Sequence, residues 1–319
     1  MIVGAGFILP FKCQGVKSLV NNVNKRRVLI TGGSGFIGSH LKRYLDDFEI
    51  ITIGRSKNED SEIDLSDSKL EDIVKDFSPD IVCHFASGSN ILRAEENKEK
   101  EYKDTVLSTK ALIQALNKFK NITVIYLSSQ AVYGLPENLP VFETQPAKPI
   151  SNYGKNKLEA EKIIIQSGLN YLIFRISSIY GLGQNYKKSG VVAKFINWMK
   201  SNESPVIFNG IDSFSDFIYI DDVINAIVLS IQKNIKNEIF NLGSGKAITL
   251  KEVLDILYKY FPGAPKPRLE TNLLYPNKEH KGLYLDIDKI KSKLSWDCKY
   301  NIEDGLREML SVLNLTQRV

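Results

Sequence analysis

The sequence predicts an α/β protein with a doubly wound parallel sheet and a smaller C-terminal α/β lobe. Three observations predict it. From Lys25 onward, apolar runs alternate with stretches of helical periodicity. The runs are apolar on both faces, as strands are when helices cover both sides of a parallel sheet. A glycine-rich stretch, Gly32-Gly33-Ser34-Gly35-Phe36-Ile37-Gly38, directly follows the first run and opens the first helical stretch.

The elements follow in order. Arg27–Thr31 (RVLIT) reads as a buried strand, Phe36–Leu45 as a helix and Glu49–Ile53 (EIITI) as a second strand. Lys69–Phe77 is helical, and Ile81–Phe85 (IVCHF) is a third strand after Pro79. Lys100–Phe119 carries one long helical pattern, and Thr123–Leu127 (TVIYL) is a fourth strand. Tyr153–Gln166 is a helix and Tyr171–Ile176 (YLIFRI) a fifth strand. Val191–Lys200 and Leu250–Phe261 are helices, the second ended by the turn-rich Pro262-Gly263-Ala264-Pro265-Lys266-Pro267. Ile287–Leu294 and Ile302–Leu313 are short helices.

The 319 residues carry a net charge of +5 spread along the chain, which gives no reason to expect nucleic acid as a partner. No apolar run approaches the roughly 18 residues of a membrane span, so no membrane partner is expected. Cys13, Cys83 and Cys298 match no zinc spacing and no paired framework, as in a protein with reduced thiols, and the expected location is cytoplasmic. His40, His84 and His280 are too few and too scattered for a metal site, and none is expected. Met1–Leu9 is apolar, but no basic segment precedes it and no cleavage site follows, so it is not read as a secretory signal. Gly4-Ala5-Gly6 lacks a preceding strand and is set aside as a phosphate loop.

Gly32, Gly35 and Gly38 form G-x-x-G-x-x-G between a strand and a helix. Glycine permits the tight turn, the backbone's approach to a pyrophosphate and the close packing of helix on strand, while the helix N-terminus attracts the phosphates. The loop, Gly32, Ser34, Gly35, Phe36, Ile37 and Gly38, is therefore expected to bind a dinucleotide, and the sheet to be of the Rossmann type. An acidic residue ending the second strand would bind the ribose of NAD. Ile53-Gly54-Arg55-Ser56 has none, and Arg55 is placed to pair with a 2′-phosphate, so NADP(H) is favoured and NAD(H) remains possible. Asp64 and Leu65 are placed to contact the adenine.

Tyr153 and Lys157 stand four apart on one helical face. An ammonium beside a phenol stabilises the phenolate and lowers its pKa, fitting it for acid–base work. Ser128-Ser129 end the fourth strand, where ligands sit in open α/β sheets.

With these residues in view, the chain resembles an extended short-chain dehydrogenase/reductase of the NAD(P)-dependent nucleotide-sugar epimerase/dehydratase group. The matching stretches are TGGSGFIG (31–38), LSSQAVYG (127–134), FETQPAKPISNYGKNK (142–157), RISSIYG (175–181), DFIYIDDV (216–223) and FNLGSGKAITLKEVL (240–254). The resemblance implies a catalytic triad of Ser129, Tyr153 and Lys157. It puts Phe85, Ala86, Ser87 and Ile176 beside the cofactor with Tyr153 and Lys157, and it implies a homodimer. It divides the chain into an N-terminal extension of unassigned role (1–25), a dinucleotide-binding domain (26–175, with 211–240 returning to it) and a substrate-binding lobe (176–210 and 241–319).

Departures narrow the reading. Ser129-Gln130-Ala131 stands where sugar-nucleotide dehydratases carry Thr-Asp-Glu, which disfavours a 4,6-dehydratase. Ser215 and Ser178 replace an arginine and an asparagine that contact substrate, Thr105 replaces an asparagine on the long helix, and Lys281 offers the stable charge near a second arginine position. Ser129, Gln130, Ser178, Ser215 and Lys281 are accordingly the expected substrate-binding residues. The favoured expectation is NADPH-dependent reduction of the C4 ketone of a nucleotide-linked 4-keto-6-deoxyhexose, with Tyr153 as the acid/base. The alternatives are a nucleotide-sugar 4-epimerase with tightly bound NAD(P) and, from another class, a non-catalytic dinucleotide-sensing or RNA-binding protein. Glu95–Glu101 reads as a solvated helix start, His84 as a packed core histidine, Trp198 as core or pocket wall, and Lys187-Lys188 as a surface pair able to attract phosphate.

Overall fold

The computed structural model describes residues 25–88, 91–185, 190–208, 210–271 and 281–313. The extension up to residue 24, Lys187-Lys188 and His280 lie outside the described residues. β1 (Arg27–Thr31) passes through the glycine turn into α1 (Phe36–Leu41), followed by β2 (Glu49–Gly54), β3 (Ser61–Glu62), α2 (Lys69–Phe77) and β4 (Ile81–His84). Helices α3 (Ile91–Glu96), α4 (Lys98–Tyr102) and α5 (Ser108–Leu116) cross to β5 (Thr123–Ser129), and α6 (Asn152–Gln166) leads into β6 (Asn170–Ile176). Then come β7 (Ser178–Tyr180), α7 (Val191–Lys200), β8 (Val206–Phe208), β9 (Phe214–Ser215), β10 (Phe217–Tyr219), α8 (Ile220–Gln232) and β11 (Glu238–Leu242). The last elements are β12 (Ile248–Thr249), α9 (Leu250–Tyr260), β13 (Arg268–Glu270), α10 (Asp288–Leu294) and α11 (Ile302–Ser311).

Seven strands form one parallel sheet in the order β11-β6-β5-β4-β1-β2-β3. Its two faces bury separate apolar clusters, as strand alternation requires. Val28 and Ile30 of β1 join Cys83, Ile125 and Phe174 on one side. Leu29 joins Val82, Val124 and Ile173 on the other. β1 is flanked by β2 and β4, so the winding reverses there and leaves a crevice at the C-terminal strand ends. Three two-stranded pairs, β7 with β10, β9 with β12 and β8 with β13, stand outside the main sheet. Among the described residues no helix is long and apolar enough to cross a membrane.

Two helical expectations are corrected. The helix expected over Phe36–Leu45 ends at Leu41 and tightens into a 3₁₀ turn, Lys42–Tyr44. The single helix expected over Lys100–Phe119 is α4, then a π-helical turn over Lys103–Leu107, then α5. Side-chain bonds to the turn's carbonyls accompany the break. The Ser108 hydroxyl donates to the Asp104 carbonyl at 2.7 Å and the Thr109 hydroxyl to that of Thr105 at 2.6 Å. Such turns are frequent at functional sites.

A buried brace fixes the helix that carries Tyr153. Arg175 of β6 donates to the Glu161 carboxylate of α6 at 3.1 and 2.8 Å, and Ser128 of β5 donates to the same group. The forked pairing satisfies two buried charges together and ties α6 to both strands.

Candidate active site

The glycine loop is built as a cradle. Gly32 has φ +71°, a conformation that costs other residues strain. A Cβ on Gly38 would stand 2.4 Å from the Gly32 carbonyl oxygen and 2.8 Å from the Gly33 Cα, so only glycine lets α1 pack on the loop. No side chain caps α1 at Gly35, which leaves the first-turn N–H groups without intrahelical acceptors. Free backbone donors beside a crevice at the sheet's switch point fit a dinucleotide pyrophosphate.

Two cavities meet at this loop, sharing Gly32, Gly35, Phe85 and Ser87. The larger, about 1290 Å³, is lined by Phe36, Ile37 and Gly38 of the loop, by Ile176, and by Ser129, Tyr153 and Lys157. Gln130, Ser178, Ser215 and Lys281 line it as well. The smaller, about 400 Å³, is lined by Ser34, Arg55, Asp64, Leu65 and Ala86. The structure thus brings every expected site residue to the wall of one or both cavities.

In the smaller cavity the charges differ from expectation. Arg55 stands where a 2′-phosphate would need it, but its guanidinium donates to Asp104 at 2.8 Å and lies 4.0 Å from Asp64. Glu59 reaches into the glycine loop, where Oε1 accepts the Ser34 N–H at 2.7 Å and Oε2 is buried without a partner. The strand end has no carboxylate of its own, yet the loop after β2 delivers one.

In the larger cavity, the Lys157 ammonium donates to the Ser87 hydroxyl at 2.7 Å and the Leu127 carbonyl at 2.8 Å. It lies 5.7 Å from the Tyr153 ring centroid. Burial pulls the lysine down to about 8, against Glu101 and Glu161, which raise it. Burial pushes the Tyr153 phenol up to about 12; its hydrogen bond with Ser129 lowers it and Glu101 raises it. The expectation that Lys157 depresses the phenol is corrected for the protein alone. Two of the lysine's N–H bonds are committed to Ser87 and Leu127, and desolvation dominates at the phenol. Ser128 is buried against Glu161, whereas Ser129 faces Tyr153.

The sequence pattern of the NAD dependent epimerase/dehydratase family matches residues 28–243. The chain belongs to the NAD-dependent epimerase/dehydratase family. A putative UDP-glucose 4-epimerase of Methanocaldococcus jannaschii is 32% identical, covering 91% of this chain and 99% of that protein. The dTDP-4-dehydro-6-deoxyglucose reductase of Escherichia coli is 29% identical, covering 91% and 98%. The crystal structure of UDP-glucose 4-epimerase with UDP-glucose from Thermotoga maritima superposes with a TM-score of 0.82 at 27% identity, covering 90% and 98%. As a family member the chain is an enzyme of the extended short-chain dehydrogenase/reductase type.

This epimerase/dehydratase family member also uses residues that the sequence did not single out. Of the run Glu95–Glu101, read as solvated, Glu95 is half-buried and Glu101 is buried. Glu95 accepts the Asn152 backbone N–H at 2.7 Å and its side-chain amide at 2.5 Å, at the start of α6. Glu101 is only 7% exposed and accepts from Thr105 at 2.8 Å, whose hydroxyl in turn accepts the Gly88 N–H at 3.0 Å. The run is therefore amphipathic rather than solvated throughout, with Glu101 close enough to act electrostatically on Tyr153 and Lys157. His84 is fully buried between Thr31 and Thr109, as a packed core histidine, and Trp198 is a wall of the larger cavity.

Proposed function

We propose that the protein interconverts C4 epimers of a nucleotide sugar, using NAD(H) as a resident redox group. The observation that carries this reading over net reduction is the charge of the smaller cavity. Asp104 and Asp64 occupy Arg55, and Glu59 adds a carboxylate beside the glycine loop. Lys103 also lines this cavity but acts on Asp64, so among the described residues a dianionic 2′-phosphate meets no arginine free of a carboxylate, while Glu59 offers an acceptor to ribose hydroxyls. Without a preference for the phosphorylated cofactor, the case for net reduction loses its basis. The M. jannaschii and T. maritima relatives, named as 4-epimerases, support the same reading.

Held by the glycine loop, NAD(H) would supply a hydride acceptor and donor for the sugar C4 and, oxidised, a positive charge that favours the phenolate. Tyr153 carries the proton: as the phenolate it takes the proton of the C4 hydroxyl as the carbonyl forms, and as the phenol it returns that proton to the oxygen when the opposite face is reduced, which regenerates the phenolate. Ser129, bonded to the phenol, orients the sugar oxygen toward it. Lys157, pinned by Ser87 and Leu127, keeps one N–H for the nicotinamide ribose and sets the charge opposite the phenol. The brace from Glu161 to Arg175 and Ser128 holds α6, so this geometry is set before substrate arrives.

The test is a cofactor balance. The purified protein is incubated with UDP-glucose, and separately with a dTDP-linked 4-keto-6-deoxyhexose and NADPH or NADH. Reduced-nicotinamide absorbance is followed and the sugar is examined by NMR. Epimer interconversion without nicotinamide consumption supports the proposal. Stoichiometric NADPH loss with a new C4 hydroxyl, and no epimerisation, establishes the second reading, an NADPH-dependent C4 reductase. That reading draws support from the position of Arg55 and from the E. coli relative.

A further inference from the structure

His84 is buried near the catalytic lysine, and the mechanism gives it no task. It lines neither cavity. Both ring nitrogens are nevertheless bonded. Nδ1 lies 2.8 Å from the Thr31 hydroxyl and Nε2 lies 2.9 Å from that of Thr109, and all three side chains are fully buried. The tautomer follows from the donors. The Thr109 hydroxyl gives its hydrogen to the Thr105 carbonyl at 2.6 Å, so toward the ring its oxygen accepts, and Nε2 carries the hydrogen. Burial, with the Lys157 ammonium adding to it, pulls the imidazole down to about 3, so the ring is neutral. Nδ1 is then bare and accepts from the Thr31 hydroxyl, whose oxygen in turn accepts the Ala86 N–H at 3.1 Å.

Both arms reach one short segment. From Nδ1 the path runs through Thr31 to the Ala86 N–H. From Nε2 it runs through Thr109 to the Thr105 carbonyl, and the Thr105 hydroxyl accepts the Gly88 N–H at 3.0 Å. Ser87 stands between these two anchored amides, and its hydroxyl accepts from Lys157 at 2.7 Å. The imidazole also stacks on Tyr126, with ring centroids 5.6 Å apart, and the lysine ammonium lies 5.0 Å from the centroid of the same tyrosine. Packing alone would ask only for the volume of the ring. It would not ask for a donor at one nitrogen and an acceptor at the other.

We propose that His84 is a positioning residue: as the Nε2–H tautomer it ties down both ends of the segment Ala86–Gly88 and so sets Ser87 against the Lys157 ammonium. The inference rests on Lys157 serving the catalysis read above, and it holds for the epimerase and the reductase alike. Catalytic geometry tolerates little slack, since a displacement of about 1 Å can cost roughly 10²-fold in rate.

The full chain is compared as wild type, His84→Leu, His84→Asn and His84→Gln, with circular dichroism checking the fold. Amide hydrogen exchange is read by NMR at Ala86 and Gly88, with Leu29 and Val82 of the sheet as internal references. In His84→Leu both amides should exchange at least roughly tenfold faster relative to the references. His84→Asn, with an oxygen near the place of Nδ1, should keep Ala86 protected, and His84→Gln, with an N–H near the place of Nε2, should keep Gly88 protected. In His84→Leu kcat should fall roughly 10²-fold while the KM for the nucleotide sugar changes less than about threefold. Each amide variant should recover part of that loss. Unchanged protection at both amides in a folded His84→Leu, or loosened amides with wild-type kcat, would overturn the proposal. If His84→Leu does not fold, the other two variants decide it, and wild-type protection at both amides in both of them would sink it. A wild type that turns over no nucleotide sugar by either route removes the functional reading instead, and the exchange pattern alone then decides this inference.

Discussion

The Asp104 carboxylate accepts a hydrogen bond from Arg55 at 2.8 Å, joining the loop after β2 to the π-helical turn between α4 and α5. The same turn carries Thr105, which accepts the Gly88 N–H beside the Ser87–Lys157 contact. One local departure from α-helix therefore reaches both cavities. On one side it meets Arg55 in the smaller cavity, and on the other it stands beside the Ser87–Lys157 contact in the larger.

Releasing Arg55 should change cofactor preference. Asp104→Asn removes the partner of a guanidinium that is itself more than half exposed, so the effect is screened. An exposed pair of this kind is worth roughly 0.2–1 kcal/mol, which limits the gain in NADPH-over-NADH affinity to about fivefold. Glu59→Gln should act in the same direction by removing a second carboxylate. Fluorescence titrations of both variants with both dinucleotides check this. Ratios equal to wild type would show that these carboxylates do not shape the 2′ end of the site.

Tyr153→Phe should retain the fold and lose roughly 10²–10⁴ in turnover, because it removes the phenol that bonds Ser129 and would carry the proton. The brace through Glu161 and Arg175 does not involve the hydroxyl, so the thermal midpoint should stay within a few degrees of wild type. Near-normal turnover in this variant would remove Tyr153 from the mechanism.

Lys157 gives a pH signature. Its folded pKa, pulled down to about 8 by burial, lies below its ordinary 10.5. Between those values the unfolded chain holds more protons, so stability rises with pH through that window. The contribution is about 1–3 kcal/mol. Tyr153 acts oppositely: raised from 10 to about 12, it costs stability as pH climbs through that range. Urea unfolding of wild type and Lys157→Met at pH 7.5 and 10 isolates the lysine. The wild type should gain on the variant as pH rises. A constant gap would mean that the buried ammonium titrates at its ordinary value.

Local signals were the ones legible in the chain. The glycine loop and the Tyr153–Lys157 spacing each lie within seven residues; the loop stands at a strand end that its own apolar run announces, and the pair stands on a helix that its own periodicity announces. Glu59, Asp104 and Glu101 were not legible, because their roles arise from contacts across 25, 49 and 13 residues. The pattern of Lys100–Phe119 is a good helix throughout, and nothing in it marks the π turn that rotates Asp104 and Thr105 to their partners. The two- and three-residue strands β7 to β10, β12 and β13 are too short for alternation to declare them.

Glu101 tests how that turn serves the lysine. Its carboxyl is raised by burial and accepts from Thr105, and no cation forms a salt bridge with it among the described residues. Tyr153, Lys157 and Tyr126 feel it from the neighbouring elements, as Lys100 and Asp104 do on its own. Glu101→Gln keeps an acceptor for Thr105 and removes a buried charge, so the fold should be at least as stable at pH 7. The lysine, deprived of a raising influence, should then lose its proton at lower pH. If turnover needs the ammonium, kcat/KM falls above about pH 8 in the wild type. In Glu101→Gln that limb should move to lower pH by roughly 0.5–1 unit. A purely structural Glu101 would lower the thermal midpoint and leave the pH profile in place, so measuring both quantities in the same variant separates the two roles.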